Sequence, residues 1–587
     1  MSANLGVAPA KAPQFGERTY LAWLWIPTVA IVALVAADLW LRSPLPPPKV
    51  LATTQITNDN AAKTRVFSDG SRLYIGERSH RQQLISQVAM DGTDVSTFKT
   101  PFTSVSAEAM SPDHAALLAT TSDADGEDAL WSIPLGGGAP HRLGTLSGRH
   151  ATWAPDGKHI LFVKESSLYL ANVDGTEAHE LASVNGTLFY PQFSPDGKRI
   201  RFSVGDDTRG ASAIWEINSN GSGLHALFPG WHDPPVECCG TWTTDGRYYI
   251  FQVVQTRPNN LANLWALAEP AGRFERKPSN QPVQLTEGPV SFANPMSDRS
   301  GEKIWALGVH PGGEFVKYDP KSKEFIPLVA GVSGTDLDFS RDGQWVAYIT
   351  IPEEILWRSR LDGTDRLRLT APGHHLALPR WSPDGNQIAY MSTNGQAWKI
   401  LLVSAKGGTA QALPVEAEDQ VDANWSPDGK QMIFGDTWQA KKMDISILDL
   451  ATHQLSTIPG SSGLFSPRWS PDGRYLAALS SDFKNLMLYD FHAQKWVQWL
   501  NEPAGAFYFP AWSADSTYLY FEDMANEDSI RRVKIGQNRP ESVLLLKGLE
   551  RFPGAFGPWS GRAPDGSQVF VRDHSTQEVY RLDVKLP

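Results

Sequence analysis

The stretch PRWSPDGNQIAYMS, Pro379 to Ser392, decides how this chain is read. At its centre Pro383 presets φ for a tight turn, Asp384 can accept hydrogen bonds from the backbone amides just ahead, and Gly385 accepts a positive φ. NQIAYMS then alternates apolar and polar positions as a half-buried strand does, and the residues before Ser382 read as a strand ending on Trp381. The stretch predicts a hairpin.

Outward from it the pattern recurs as VFSDGSRLYI, AMSPDHAALL, TWAPDGKHIL, QFSPDGKRIR, TWTTDGRYYI, PMSDRSGEKI, DFSRDGQWVA, NWSPDGKQMI, RWSPDGRYLA, AWSADSTYLY and the looser WSGRAPDGSQVF. The turn aspartates are Asp69, Asp113, Asp156, Asp196, Asp245, Asp298, Asp342, Asp384, Asp428, Asp472, Asp515 and Asp565. Their separations of 44, 43, 40, 49, 53, 44, 42, 44, 44, 43 and 50 residues match a four-stranded propeller blade. A residue repeated in every blade serves the blade, so these aspartates read as structural. Third strands such as DALWSIPL and NLMLYDFH and fourth strands such as HRLGTL and LRLTAP complete the units, and the Trp or Phe before each turn fills the seam between blades.

The fold class is therefore all-β, with twelve blades. One ring usually takes four to eight, so two six-bladed propellers are expected, over residues 51–322 and 323–587. ATTQIT, Ala52 to Thr57, reads as an orphan fourth strand, and EVYRLDV, Glu578 to Val584, as a third strand. The orphan pairs either with the strand near Phe315 to Tyr318, closing the first ring locally, or with Glu578 to Val584, tying the rings together. Shorter loops favour local closure.

Composition agrees. Among 587 residues, 21 Trp, 25 Phe and 15 Tyr beside 49 Gly and 42 Pro suit short strands joined by many turns. With 53 basic against 64 acidic residues the net charge is −11, which argues against a nucleic-acid partner. Residues 1–18 form a short tail, and the apolar stretch 19–41 would span about 33 Å over Tyr20 to Leu41 as a helix, enough to cross a bilayer. It reads as a single-pass signal anchor, with a cleaved signal peptide as the other reading. Residues 42–50 contain SPLPPPK, a polyproline spacer. This order places the propellers outside the cytoplasmic membrane, in the periplasm or beyond the cell.

The W-S-P-D-G-x-x-I-A-F-like repeat resembles the WD40-like propeller repeats of the TolB type. The order of anchor, spacer, strand and propeller array, with GWHDPPVECCGTWTTDG (Gly230 to Gly246), also resembles the extracytoplasmic half of CadC-like membrane-bound regulators. Those regulators carry a winged helix before the span, for which 18 residues are too few.

Only two cysteines occur, adjacent at Cys238 and Cys239, with His232 six residues upstream of the first. Three readings stay open for this cluster: a copper or zinc ligand set, a redox-active vicinal disulfide, or a packed thiol pair. It is expected near a propeller face, as a binding or redox loop. His374 and His375 precede an innermost strand and are candidates for a channel mouth. Acidic runs at Asp123 to Asp128 and at Asp206 and Asp207 lack EF-hand spacing and read as solvated loops. No GxSxG elbow, Walker motif, kinase set or dinucleotide fingerprint occurs, so no catalytic residue, cofactor or metal is assigned. The expected function is non-enzymatic binding, scaffolding or sensing of a protein, peptide or glycan. The alternative is a propeller enzyme, lyase or hydrolase-like, with its site in channel-mouth loops.

Overall fold

A computed structural model describes residues 45–79, 82–122, 128–206, 211–254, 261–270, 281–394, 397–415, 419–437, 443–503, 507–524 and 528–587. The expected tail and membrane anchor, and most of the two acidic runs, lie outside the described residues. Among the described residues no helix is long and apolar enough to cross a membrane.

The described chain is all-β and forms twelve four-stranded antiparallel sheets. In ten of them four consecutive strands pair in chain order, as the blade reading requires. The hairpin that decided the fold is there: His375–Trp381 pairs with Gln387–Thr393, and the latter with Lys399–Ser404. Eleven of the twelve aspartates, all but Asp298, accept a backbone N–H from two residues ahead, as Asp384 does from Asn386 at 3.0 Å. The serine two residues earlier closes the same turn: Ser382 Oγ donates to Asp384 at 2.6 Å and accepts the Gln387 N–H at 3.0 Å. Gly385 has φ +71°, and His114 and Ser516 stand in the same left-handed region at +59° and +57° where their copies lack the glycine.

Asp298 departs from the expected register. It occupies the serine's place, accepting the Lys303 N–H five residues on at 3.2 Å, while Ser300 takes the aspartate's place and accepts Glu302 N–H at 3.1 Å. The two residue types have exchanged positions within one turn.

Apolar clusters bridge each blade to the next and close two cycles of six. In the first, Ile250 and Leu264 pack with Ile304 and Leu582, and Trp305, Leu307 and Val579 pack with Val66, Leu73 and Ile75. In the second, Val316 and Phe570 meet Tyr520 and Ile530, while Phe315 and Val571 meet Val346 and Tyr348.

Closure is not local, contrary to the favoured expectation. The closing blade of the first ring runs Ser291–Ser297, Lys303–His310, Thr576–Lys585, Lys49–Gln55, so the orphan strand is outermost and pairs with the last strand of the chain. The closing blade of the second ring runs Ser560–Arg562, Gln568–Asp573, Gly313–Asp319, Glu324–Pro327. The second ring is thus inserted in the first, and the expected division at 322/323 is replaced by crossings at 311–312 and 574–575. The crossings bond to each other: His574 N–H donates to Gly312 O at 2.8 Å and Gly312 N–H to Ser575 Oγ at 3.1 Å. A Cβ on Gly313 would meet Gly334 O at 2.4 Å and Val571 Cγ1 at 2.6 Å, so only glycine passes there. Loop length was a weak criterion because closure entropy grows only logarithmically with length, whereas Val579 and Leu582, fully buried, match the first ring's seams.

Candidate functional site

Both ring axes are built by one local device. In nine innermost strands the ladder slips by a bulge, and the slipped residue takes a positive φ: His150, Tyr190, Cys239, Asn294, Asp336, Leu378, Asp422, Ser466 and Phe509. A bulge re-aims its side chain out of the pleat, and non-glycine residues at positive φ are costly enough to mark sites held by their surroundings. Seven of these, all but His150 and Asp336, line an axial cavity directly.

In the second ring a cavity of 330 Å3 is walled by Leu378, Met391, Val421, Phe465, Phe483, Tyr508, Phe509 and Phe556. Phe483 stacks on Tyr508 with centroids 4.8 Å apart and meets Phe465 edge-on at 5.1 Å. Phe465, Phe483, Tyr508, Phe509 and Phe556 are half-buried, leaving aromatic surface towards the cavity. Its polar floor is the buried Asp422 carboxylate, which meets Arg468 Nη1 at 2.9 Å and Arg380 Nη2 at 3.3 Å and accepts Ser466 Oγ–H at 2.8 Å. Burial works to raise the Asp422 carboxyl, but the two arginines outweigh it and hold the group below the usual carboxylate range. Asp336 and Asp338 lie in the same ring without so close a cation, and burial pushes both up to about 6.

The first ring has a more polar axial cavity of 250 Å3 lined from all six blades. Arg65 fills much of it: its guanidinium sits 4.0 Å over Tyr190, 3.5 Å from Glu108 and 3.2 Å from His150 Nδ1. Burial, with Arg65 and Arg149 adding to it, pushes His150 down to about 3, so its imidazole is neutral at physiological pH. A neutral ring nitrogen accepts the Arg65 N–H, and the cluster is internally paired.

Cys238 and Cys239 belong to the innermost strand Glu237–Trp242 of this ring, joined as a vicinal disulfide, and both are buried. Cys239 is the bulge residue and touches the cavity, and its N–H donates to Ser203 Oγ at 2.9 Å. The pair is therefore in the channel wall, not in an exposed loop. His232 pairs through Nδ1 with the buried Glu237. Among the described residues no group of three His, Cys, Asp or Glu could hold a metal. His375 pairs with Glu354 Oε2 at 2.7 Å, while His374 is exposed.

No family model matches the sequence. The chain is 25% identical over 252 residues to Tricorn protease homolog 1 of Streptomyces coelicolor, covering 42% of this chain and 23% of that protein. It is 28% identical over 303 residues to an uncharacterized protein, Atu1656, of Agrobacterium fabrum, covering 48% of this chain and 82% of that one. Structural neighbours include a putative TolB from Agrobacterium tumefaciens (TM-score 0.37, 18% identity, 45% of this chain and 98% of that one) and the tricorn protease (TM-score 0.31, 14% identity, 87% and 53%). The chain thus spans less than a quarter of the tricorn homologue.

Sequence reading missed Asp422, Arg468, Phe465 and Phe483 in the second ring, and Arg65, Glu108 and His150 in the first. A positional signal was present. In eight of the nine bulged strands the slipped residue stands six places before the motif aspartate, and Tyr190, Leu378, Ser466 and Phe509 among them are followed by proline.

Proposed function

We propose that this chain is a membrane-anchored, extracytoplasmic binding or scaffold propeller that seats an apolar side chain of a protein or peptide partner in the second ring's axial funnel. The observation that carries this reading is the set of five half-buried aromatics, Phe465, Phe483, Tyr508, Phe509 and Phe556, contributed by two innermost strands and two loops around one 330 Å3 cavity. Apolar concavities with a few fixed polar groups are the usual form of a ligand site, and aromatic rings supply large contact at small entropic cost. The paired Asp422 and Arg468 at the floor offer an orienting acceptor and donor. Anchoring rests on the apolar stretch of residues 19–41, which carries no charge from Thr19 to Ala37, and on the proline spacer, which hold the rings close to a membrane face.

The Streptomyces relative's name brings a protease reading with it. That reading stands second, because the shared segment is under a quarter of the relative.

The test is selection of peptides on the full-length protein from a random displayed library, followed by titration of an enriched peptide. Phe483→Asp should weaken its binding at least about tenfold by placing a charge among the aromatics, with the melting temperature little changed. Equal binding by the variant would refute the funnel as the site.

A further inference from the structure

On the other side of the Asp422–Arg468 pair, towards the SPDG turns, a second axial cavity of 210 Å3 is lined from all six blades of the second ring. We propose that this chamber binds the carboxylate of a small apolar or aromatic acid.

The first ground is an excess of donors. Arg380, Arg468 and Arg562 reach its wall from three different blades, whereas Asp338 is the only carboxylate lining it among the described residues. Asp338 Oδ2 already accepts the Trp381 N–H at 2.6 Å, and the Asn424 side-chain oxygen accepts the Trp469 N–H at 2.8 Å. Arg380 and Arg468 share the single Asp422 carboxylate. Arg562 donates through Nη2 to Gly566 O at 2.9 Å, but its Nε and Nη1 are buried and find no hydrogen-bond partner among the described residues. Its guanidinium lies 3.6 Å over the Tyr520 ring. A buried cationic donor without an acceptor is costly, and a planar fork is matched best by a planar carboxylate.

The second ground is the rest of the wall. Trp469, Trp512, Trp559 and Phe509 complete the lining. A bare inorganic anion would leave these rings unused, whereas an acid with an apolar body would occupy both halves. The volume suits a body of about one aromatic ring. Arg468 and Phe509 line both cavities, whereas Arg562, Trp469, Trp512 and Trp559 line the chamber alone, so the Arg562 variants report on the chamber and not on what the funnel holds.

The experiment is calorimetric titration of the full-length protein with sodium benzoate, its neutral isostere benzamide, and inorganic phosphate. Benzoate should bind saturably at one site per chain, with benzamide and phosphate at least about tenfold weaker. Arg562→Gln should lose at least about tenfold in benzoate affinity and Arg562→Lys should fall between, since lysine keeps the charge but not the fork. A melting curve of each variant establishes that it is folded; should Arg562→Gln not fold, the benzoate and benzamide comparison on the unaltered protein still decides. The peptide acetyl-Ala-Phe and its C-terminal amide form the last arm: tighter binding of the free-acid peptide than of benzoate assigns a chain terminus, and weaker binding assigns a free acid. No saturable benzoate binding, equal binding of benzamide, or unchanged affinity in folded Arg562→Gln would overturn the proposal.

Discussion

The ammonium of Lys63, near the start of the first blade, lies 3.1 Å from the Glu578 carboxylate in the last strand, 515 residues away in sequence. Both side chains are essentially excluded from solvent, at 0% and 3% exposure. Thr57 donates its hydroxyl to the same carboxylate at 2.5 Å and Asn60 its N–H at 2.8 Å, so one acid ties the amino-terminal segment to the carboxy-terminal strand. The ring is locked where its two chain ends meet.

Lys63 also pairs with Asp59, whereas Glu578 meets no other cation within ion-pair distance among the described residues, so it is the loss of Lys63 that strands a charge in the interior. Lys63→Ala, which leaves the buried Glu578 carboxylate without a cation, should therefore destabilise the first ring by about 3–5 kcal/mol, whereas replacing both residues by apolar ones of similar size, Lys63→Met with Glu578→Leu, should cost much less. Urea melts of the single and double variants check this. Equal losses would mean that the pair is not the lock.

Replacing a turn aspartate should cost about 1 kcal/mol, because one or two hydrogen bonds to the turn are lost at a partly exposed position. Asp428→Ala tests the ordinary copy, where Ser426 and Lys430 bond the carboxylate at 2.7 and 3.1 Å. The exchanged copy makes a sharper forecast: Asp298→Ser with Ser300→Asp restores the order found in the other turns and should be tolerated, while Asp298→Ala alone should lower stability. Thermal melts separate the two outcomes.

Asp336 and Asp338 titrate near 6 in the folded chain because burial disfavours their charged forms. A carboxyl raised above its unfolded value favours the fold fully below the ordinary carboxylate range and loses that contribution as pH rises through about 6. Asp336→Asn and Asp338→Asn cannot ionise but keep an acceptor for Leu378 and Trp381 N–H. Their stability relative to the unaltered protein should rise between about pH 4 and pH 7 and then level off. A flat difference across that range would show that both carboxyls titrate normally.

The parts of this architecture that repeat were readable from the chain alone. Asp384 and its counterparts recur because each turn needs the same acceptor two residues before the same amide, so turn, period and blade number are local properties. Asp298 misled because a serine and an aspartate can trade places in such a turn without altering its hydrogen-bond count. The crossing at Gly312 and Gly313 was not readable in the same way, since it depends on which distant strand fits beside Trp305 and Phe315. Cys238 and Cys239 stood out as a rare pair, yet only the bulge in their strand puts Cys239 at the channel. Asp422 and Arg468 are ordinary residues until neighbouring blades bring them together.

The vicinal pairing of Cys238 and Cys239 predicts no free thiol. Alkylation of the unreduced protein in denaturant should add no label, and reduction beforehand should add two. Labelling without reductant would contradict the pairing. Because both positions are buried, replacing both by serine should lower the melting temperature, as serine brings hydroxyls into a packed wall without assured partners.

The central claim, that the second ring's funnel receives a partner, is tested most directly by placing a photo-crosslinking phenylalanine analogue at Phe483 in cells and irradiating. The control carries the same analogue at Val543, which is 40% exposed on an outer strand. A discrete adduct is expected from position 483, abolished by Phe509→Asp and absent from position 543. No adduct from 483, or the same adducts from both positions, would contradict it.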